Sequence, residues 1–130
     1  MTEPLFEWDL PYEWCDEWSW EGLGFTLYFE EPVTESQERD LRRLIEAWAE
    51  VALWGGFGPV EHGKGVLHLL GSIEMKNDSE PRLEWWADMG SASQGALGAL
   101  MLCLQTWSRD TNATVKKLLF GTPDGFTAGP

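Results

Sequence analysis

From residue 23 onward the apolar residues switch repeatedly between the two-residue period of a strand and the 3.6-residue period of a helix, and that order constrains the fold most. Residues 23 to 31 place Leu23, Phe25, Leu27 and Phe29 on one side and Thr26, Tyr28 and Glu30 on the other, the pattern of a half-buried strand. After Pro32, Thr34 and Gln37 have the spacing of a capping box, and Leu41, Leu44, Ile45, Trp48, Val51 and Ala52 follow at helical spacing. Arg39, Arg42, Arg43, Glu46 and Glu50 take the opposite face, and Gly55 and Gly56 suit the left-handed turn that ends a helix. A second strand is expected over 66–75, with Leu67, Leu69, Ile73 and Met75 alternating with His68, Ser72 and Glu74. The turn at 76–81 leads into a third strand over 82–89, with Leu83, Trp85 and Ala87 on one side and Glu84, Trp86 and Asp88 on the other. A second helix is expected from Ser91, capped by Gln94, to about residue 108, with a core stripe of Leu97, Leu100, Met101, Leu104 and Trp107. Gly95, Gly98 and Ala99 in that helix suggest close approach to a neighbouring backbone. A last strand over 114–120 precedes a Gly/Pro-rich tail at 121–130.

Strand, helix, strand, strand, helix, strand is the order of an α+β two-layer sandwich. With right-handed crossovers, residues 23–120 resemble the ferredoxin-like, or split βαβ, architecture. That architecture implies a four-stranded antiparallel sheet with both helices on one face, and with strands one and three central. Phe25, Leu27, Phe29, Leu83 and Trp85 then face the helices. Tyr28, Glu30, Glu84, Trp86 and Asp88 occupy the middle of an uncovered face, flanked by His68 and Glu74. The 130 residues make one domain of ordinary size, 1–130, able to bury a core without disulfide staples.

Residues 1–21 stand apart from this pattern. The first 38 residues hold eleven Asp and Glu and four Trp but no Lys or Arg, and Pro4 and Pro11 argue against a long helix there. The aromatic side chains of such an extended segment need a surface. Either it clads the open sheet face, or it docks on another protein through Trp14, Asp16, Glu17 and Trp18.

The net charge of −13, from 22 acids against 9 bases, repels phosphate backbones and anionic lipid, so a basic protein is the favoured partner and direct nucleic-acid or membrane binding is not expected. Cys15 and Cys103 form no CxxC and read as reduced thiols, Cys103 as core filler, and Cys15 beside Asp16 should have a raised pKa. The opening residues are acidic rather than basic-then-apolar, and the longest apolar run, 96–104, is about half a bilayer span, so a cytoplasmic location is expected.

Chemical motifs fail on inspection. Residues 58–64 match GxxxxGK, but Gly65 stands where a Ser or Thr is required, and the string runs from helix to strand, the reverse of a phosphate loop. His62 and His68 lack a ligand set at metal-binding spacing. No GxSxG occurs, and pairs such as Asp16 with Glu17 or Glu84 with Asp88 are what chance supplies among 22 acids. Aromatics on an open sheet suggest RNA-recognition domains, but Glu30, Glu84 and Asp88 stand where those need bases.

In size, acidity, Trp content and absence of catalytic motifs, the chain resembles the immunity proteins encoded beside bacterial toxins. That resemblance implies a non-enzymatic inhibitor without cofactor or metal, monomeric or weakly dimeric when free, in a tight one-to-one complex with a basic toxin. Its contacts would be Trp14, Asp16, Glu17, Trp18, Tyr28, Glu30, Glu84, Trp86 and Asp88. The alternative is a small-ligand-binding or regulatory ferredoxin-like module acting as a homodimer.

Overall fold

The computed structural model describes residues 10–54 and 67–122. The expected glycine stop at Gly55 and Gly56, the loop at 55–65 with His62, the first nine residues and the tail beyond 122 lie outside the described residues. Strand β1 is Tyr12–Trp14, β2 Leu23–Phe29, β3 Leu69–Leu70, β4 Glu74–Lys76, β5 Arg82–Asp88 and β6 Val115–Gly121; the helices are α1, Glu35–Leu53, and α2, Gln94–Thr111. A 3-10 turn, Trp20–Gly22, leads into β2.

The architecture is α+β. One sheet runs β1-β6-β2-β5-β3, with β4 also pairing β5. The sequence reading expected four strands, all antiparallel; the sheet has six, and β1 lies parallel to β6. The correction has a physical cause in the free edge of β6, whose backbone groups need partners. Residues just before β2 supply them: Leu118 N donates to Pro11 O at 3.0 Å, and Cys15 N donates to Phe120 O at 2.8 Å.

Strand β2 sits between β5 and β6, antiparallel to both. Its Leu23, Phe25, Leu27 and Phe29 are buried, as the alternation requires, together with Leu83, Trp85 and Ala87 of β5 and Leu118 and Phe120 of β6. The Phe25 ring stacks on Trp85 at 5.0 Å and meets Trp48 of α1 edge-on at 6.2 Å, while Phe29 meets Trp107 of α2 at 5.9 Å. Phe25 and Phe29 share one side of β2, so both helices cover the same sheet face. Burying each such ring contributes roughly 2–3 kcal/mol.

The first capping box forms as the spacing predicts: Gln37 N donates to Thr34 Oγ1 at 3.1 Å, and Thr34 N donates to Gln37 Oε1 at 2.8 Å. Gln37 also joins the helices, its side chain donating to Thr111 O at 2.9 Å while its carbonyl accepts from Trp107 Nε1 at 3.2 Å. At the other end Trp48 Nε1 donates to Ala96 O at 2.7 Å, so the two helices run antiparallel. Val51, expected in the core stripe, is exposed, and Ala49 takes an inward place.

The second helix starts later than Ser91 predicts. Gly90 adopts φ +53° in a tight turn closed by Ala92 N donating to Met89 O at 2.8 Å, which delays α2 until Gln94 and makes Ser93 its N-cap. The expected stripe Leu97, Leu100, Met101, Leu104 and Trp107 is buried. Gly98, expected to pack against a backbone, instead faces open space.

The second strand is broken. Leu70 pairs with Ala87 and Met75 with Leu83, so five residue steps on the edge oppose four on β5. The extra residue reverses sidedness across the break. Met75 therefore points inward as expected, but Leu69 aligns with Asp88 and is exposed. Arg42 bridges the gap, its Nη1 donating to Ile73 O at 2.7 Å.

Gly71 lies beneath the Trp86 indole, with no room for a Cβ. Urea melts should show Gly71→Ala destabilising by about 1–3 kcal/mol, as overpacking does. Gly98→Ala, which gains helix propensity without a clash, should stabilise by about 0.5–1 kcal/mol.

Candidate functional site

The nine residues expected to meet a partner do not form one patch. Because Leu23 pairs with Ala87 and Tyr28 with Arg82, Asp88 lies at one end of the β2–β5 pair and Glu30 beyond the other, about 26 Å away at strand rise. Glu30, expected in the middle of the open face, sits past the end of β2, where its N donates to Thr114 O at 3.0 Å. It borders a small hollow of about 170 Å³ with Tyr28, Ser79, Glu80, Pro81 and Lys116.

Tyr28, Glu84 and Trp86 do hold the centre of the face without helices, but that centre is not simply acidic. Arg82 and Lys117 both stand opposite Tyr28, Lys76 stands opposite Arg82, and Glu74 stands opposite Glu84. Arg82 pairs with Asp78 at 2.8 Å and with Glu84 at 3.4 Å, and Lys76 lies 3.6 Å from the other Glu84 oxygen. Lys117 rests over the Tyr28 ring, 5.6 Å from its centroid. Burial first, then Glu80, pushes the Tyr28 hydroxyl above its ordinary pKa. Hydrogen bonds from the Glu80 backbone and from Arg82 hold Asp78 below the usual carboxylate range. Asp88 accepts from Gly90 N at 2.9 Å and lies 3.8 Å from His68 Nδ1, so its carboxylate serves the turn into α2.

The N-terminal group is different. Tyr12 pairs with Leu118 and Trp14 with Phe120, so both aromatics extend the helix-facing side of the sheet rather than cladding its open face. Trp14 stacks on Phe120 at 4.3 Å, and Trp18 leans on Trp14 at 4.7 Å. The Trp14 indole N–H is buried with no acceptor among the described residues, and the stacked ring anchors the segment to the sheet. Beyond it the chain crosses the end of the sheet. Trp20 is pinned there by its Nε1 donating to Ala92 O at 3.0 Å and by Met89 N donating to its carbonyl at 2.9 Å.

Asp16, Glu17 and Glu21 are exposed along this crossing, and none makes an ion pair with a described residue. Trp18, Ser19, Trp20 and Glu21 line a notch of about 450 Å³. Sequence reading passed over Trp20 and Glu21, although the string Trp18-Ser-Trp-Glu places them beside residues it chose. It also passed over Arg82 and Lys117. Both were legible from alternation: Arg82 shares the parity of Glu84, and Lys117 takes the opposite side from Leu118 and Phe120.

A third concavity, about 430 Å³, lies between the helices and is lined by Asp40, Leu44, Leu102, Cys103, Thr106, Trp107, Asp110 and Thr111. Cys103, expected as core filler, is half-buried at this groove, and burial raises its pKa. Among the described residues no cluster of His, Cys, Asp and Glu fits a metal ion, and no helix is long and apolar enough to cross a membrane. No protein-family model matches the chain, and neither does any curated protein or solved structure.

Both cysteines are unpaired. Burial, then the charges of Glu13 and Asp16, raise the Cys15 pKa as the sequence suggested. A raised pKa leaves less thiolate at neutral pH. Alkylation of Cys15 should therefore be slow at pH 7, with a rate that climbs to a midpoint above the ordinary thiol range. Asp16→Asn should move that midpoint down, as read by mass spectrometry across a pH series.

Proposed function

We propose that the chain is a non-enzymatic, acidic binding protein that neutralises a basic protein partner in the cytoplasm, in the manner of an immunity protein against a bacterial toxin. One observation carries this reading: Asp16, Glu17 and Glu21 are exposed, with no ion-pair partner among the described residues, beside Trp18 and Trp20 on a segment tied to the sheet by hydrogen bonds. On the open sheet face, by contrast, Glu84 has both Lys76 and Arg82 within ion-pair distance. Unpaired exposed acids steer a cationic protein inward, and part-buried indoles on a rigid support anchor it with little ordering cost. The net charge of −13 adds long-range attraction and opposes self-association.

The core is read here as ferredoxin-like. The order β6-β2-β5-β3 with both helices on one face supports that assignment, and β1 is then an addition at the β6 edge. The alternative of a homodimeric small-ligand module draws support from the largely apolar groove between α1 and α2. Light scattering on the purified chain separates the two, since a tight symmetric dimer favours the second.

Co-expression with the product of the adjoining reading frame should restore growth and yield a one-to-one complex; neither rescue nor complex would sink the proposal. In stopped-flow association at low ionic strength, Asp16→Asn with Glu17→Gln should slow association by about ten-fold while dissociation changes less. Glu84→Gln should leave the association rate nearly unchanged.

A further inference from the structure

We infer that the notch between Trp18 and Trp20 takes an arginine side chain of the partner, its guanidinium lying on indole and pairing with Glu21. The inference rests on the basic-partner reading and adds which corner of this chain meets the base and which base it takes.

The lining decides the ligand chemistry. Trp20 uses its only polar ring atom within the fold, donating to Ala92 O at 3.0 Å, so what it offers to the notch is apolar ring surface. Trp18 is buttressed through Trp14 onto Phe120, at 4.7 Å and then 4.3 Å between ring centroids. Ser19 Oγ already accepts from Glu21 N at 3.3 Å. Among the described lining residues the Glu21 carboxylate is the charged group, and it has no described ion-pair partner.

An apolar occupant would desolvate that carboxylate without pairing it, and an anion would be repelled by it and by Asp16 and Glu17. A cation with a flat face satisfies both the rings and the acid. Guanidinium is planar, weakly hydrated and able to bind a carboxylate through two parallel N–H donors, whereas ammonium is compact and strongly hydrated. A notch of about 450 Å³ admits the guanidinium together with part of its aliphatic stem. Among the described residues no base lines this notch. Both walls are held by contacts within the fold, so little rearrangement accompanies binding.

The test is a titration of the ¹⁵N-labelled full chain with oligo-arginine and with oligo-lysine peptides at low ionic strength. It follows the indole N–H resonances and the backbone amides of residues 13–21. Oligo-arginine should move the Trp18 and Trp20 signals at a concentration on the order of five-fold below that needed for oligo-lysine. Glu21→Gln should raise the oligo-arginine concentration by a similar factor. Glu21 is exposed and its side chain has no described partner, so this variant keeps the fold, which a thermal melt verifies. Equal titration by the two peptides, or shifts confined to the Asp16 and Glu17 amides, overturns the arginine notch and leaves the basic-partner reading standing. Absence of any shift over residues 13–21 with either peptide overturns both.

Discussion

The stacked pair of Phe25 and Trp85 holds the structure at its centre. It joins β2 to β5, and the same Phe25 ring touches Trp48 from α1 and Phe120 from β6. Four elements meet at one aromatic cluster that is almost wholly excluded from water. The arrangement has a cost as well as a benefit, because the Trp85 indole N–H is buried there without an acceptor. Burial of the surrounding rings offsets that loss, since an unmade hydrogen bond costs about 1–3 kcal/mol and several large side chains are buried in the same cluster.

The chain distributes its negative charge in two distinct ways on that frame. On the open sheet face, strand pairing brings Arg82, Lys76 and Lys117 among the acids, and the result is a network of neighbouring opposite charges. Along the crossing from β1 to β2 no described base is paired with the acids, and they stand beside tryptophans fixed from behind. Exposed acids grouped beside ordered aromatic rings repel one another weakly through water, and a cationic partner would relieve that repulsion. That asymmetry is why the proposed partner site lies at the sheet edge rather than on the sheet face.

Much of the core was legible in sequence because it depends on local periodicity. The inward sides of β2 and β5, the Thr34–Gln37 cap and the α2 stripe each follow from spacings within a few residues. The failures share a different origin. Leu69 was misplaced because one extra residue near Gly71 reverses the strand, and Gly98 because a glycine in a helix does not itself say whether anything lies opposite. The Ser91–Gln94 pair matched a capping box, but the turn at Gly90 moved the helix start past it.

The sequence by itself determined which residues alternate, where α1 begins, and that the chain is acidic with aromatics gathered near its start. Those properties are set by dihedral preference, side-chain spacing and charge, all of which act over short distances along the chain. Only the tertiary structure decided that residues 12–14 would extend the sheet rather than cover its face, and which acids would have no ion-pair partner among the described residues. Both outcomes depend on partners distant in sequence: the free edge of β6, some hundred residues from β1, needed backbone partners, and the basic residues that quiet the open face arrive on β4, β5 and β6.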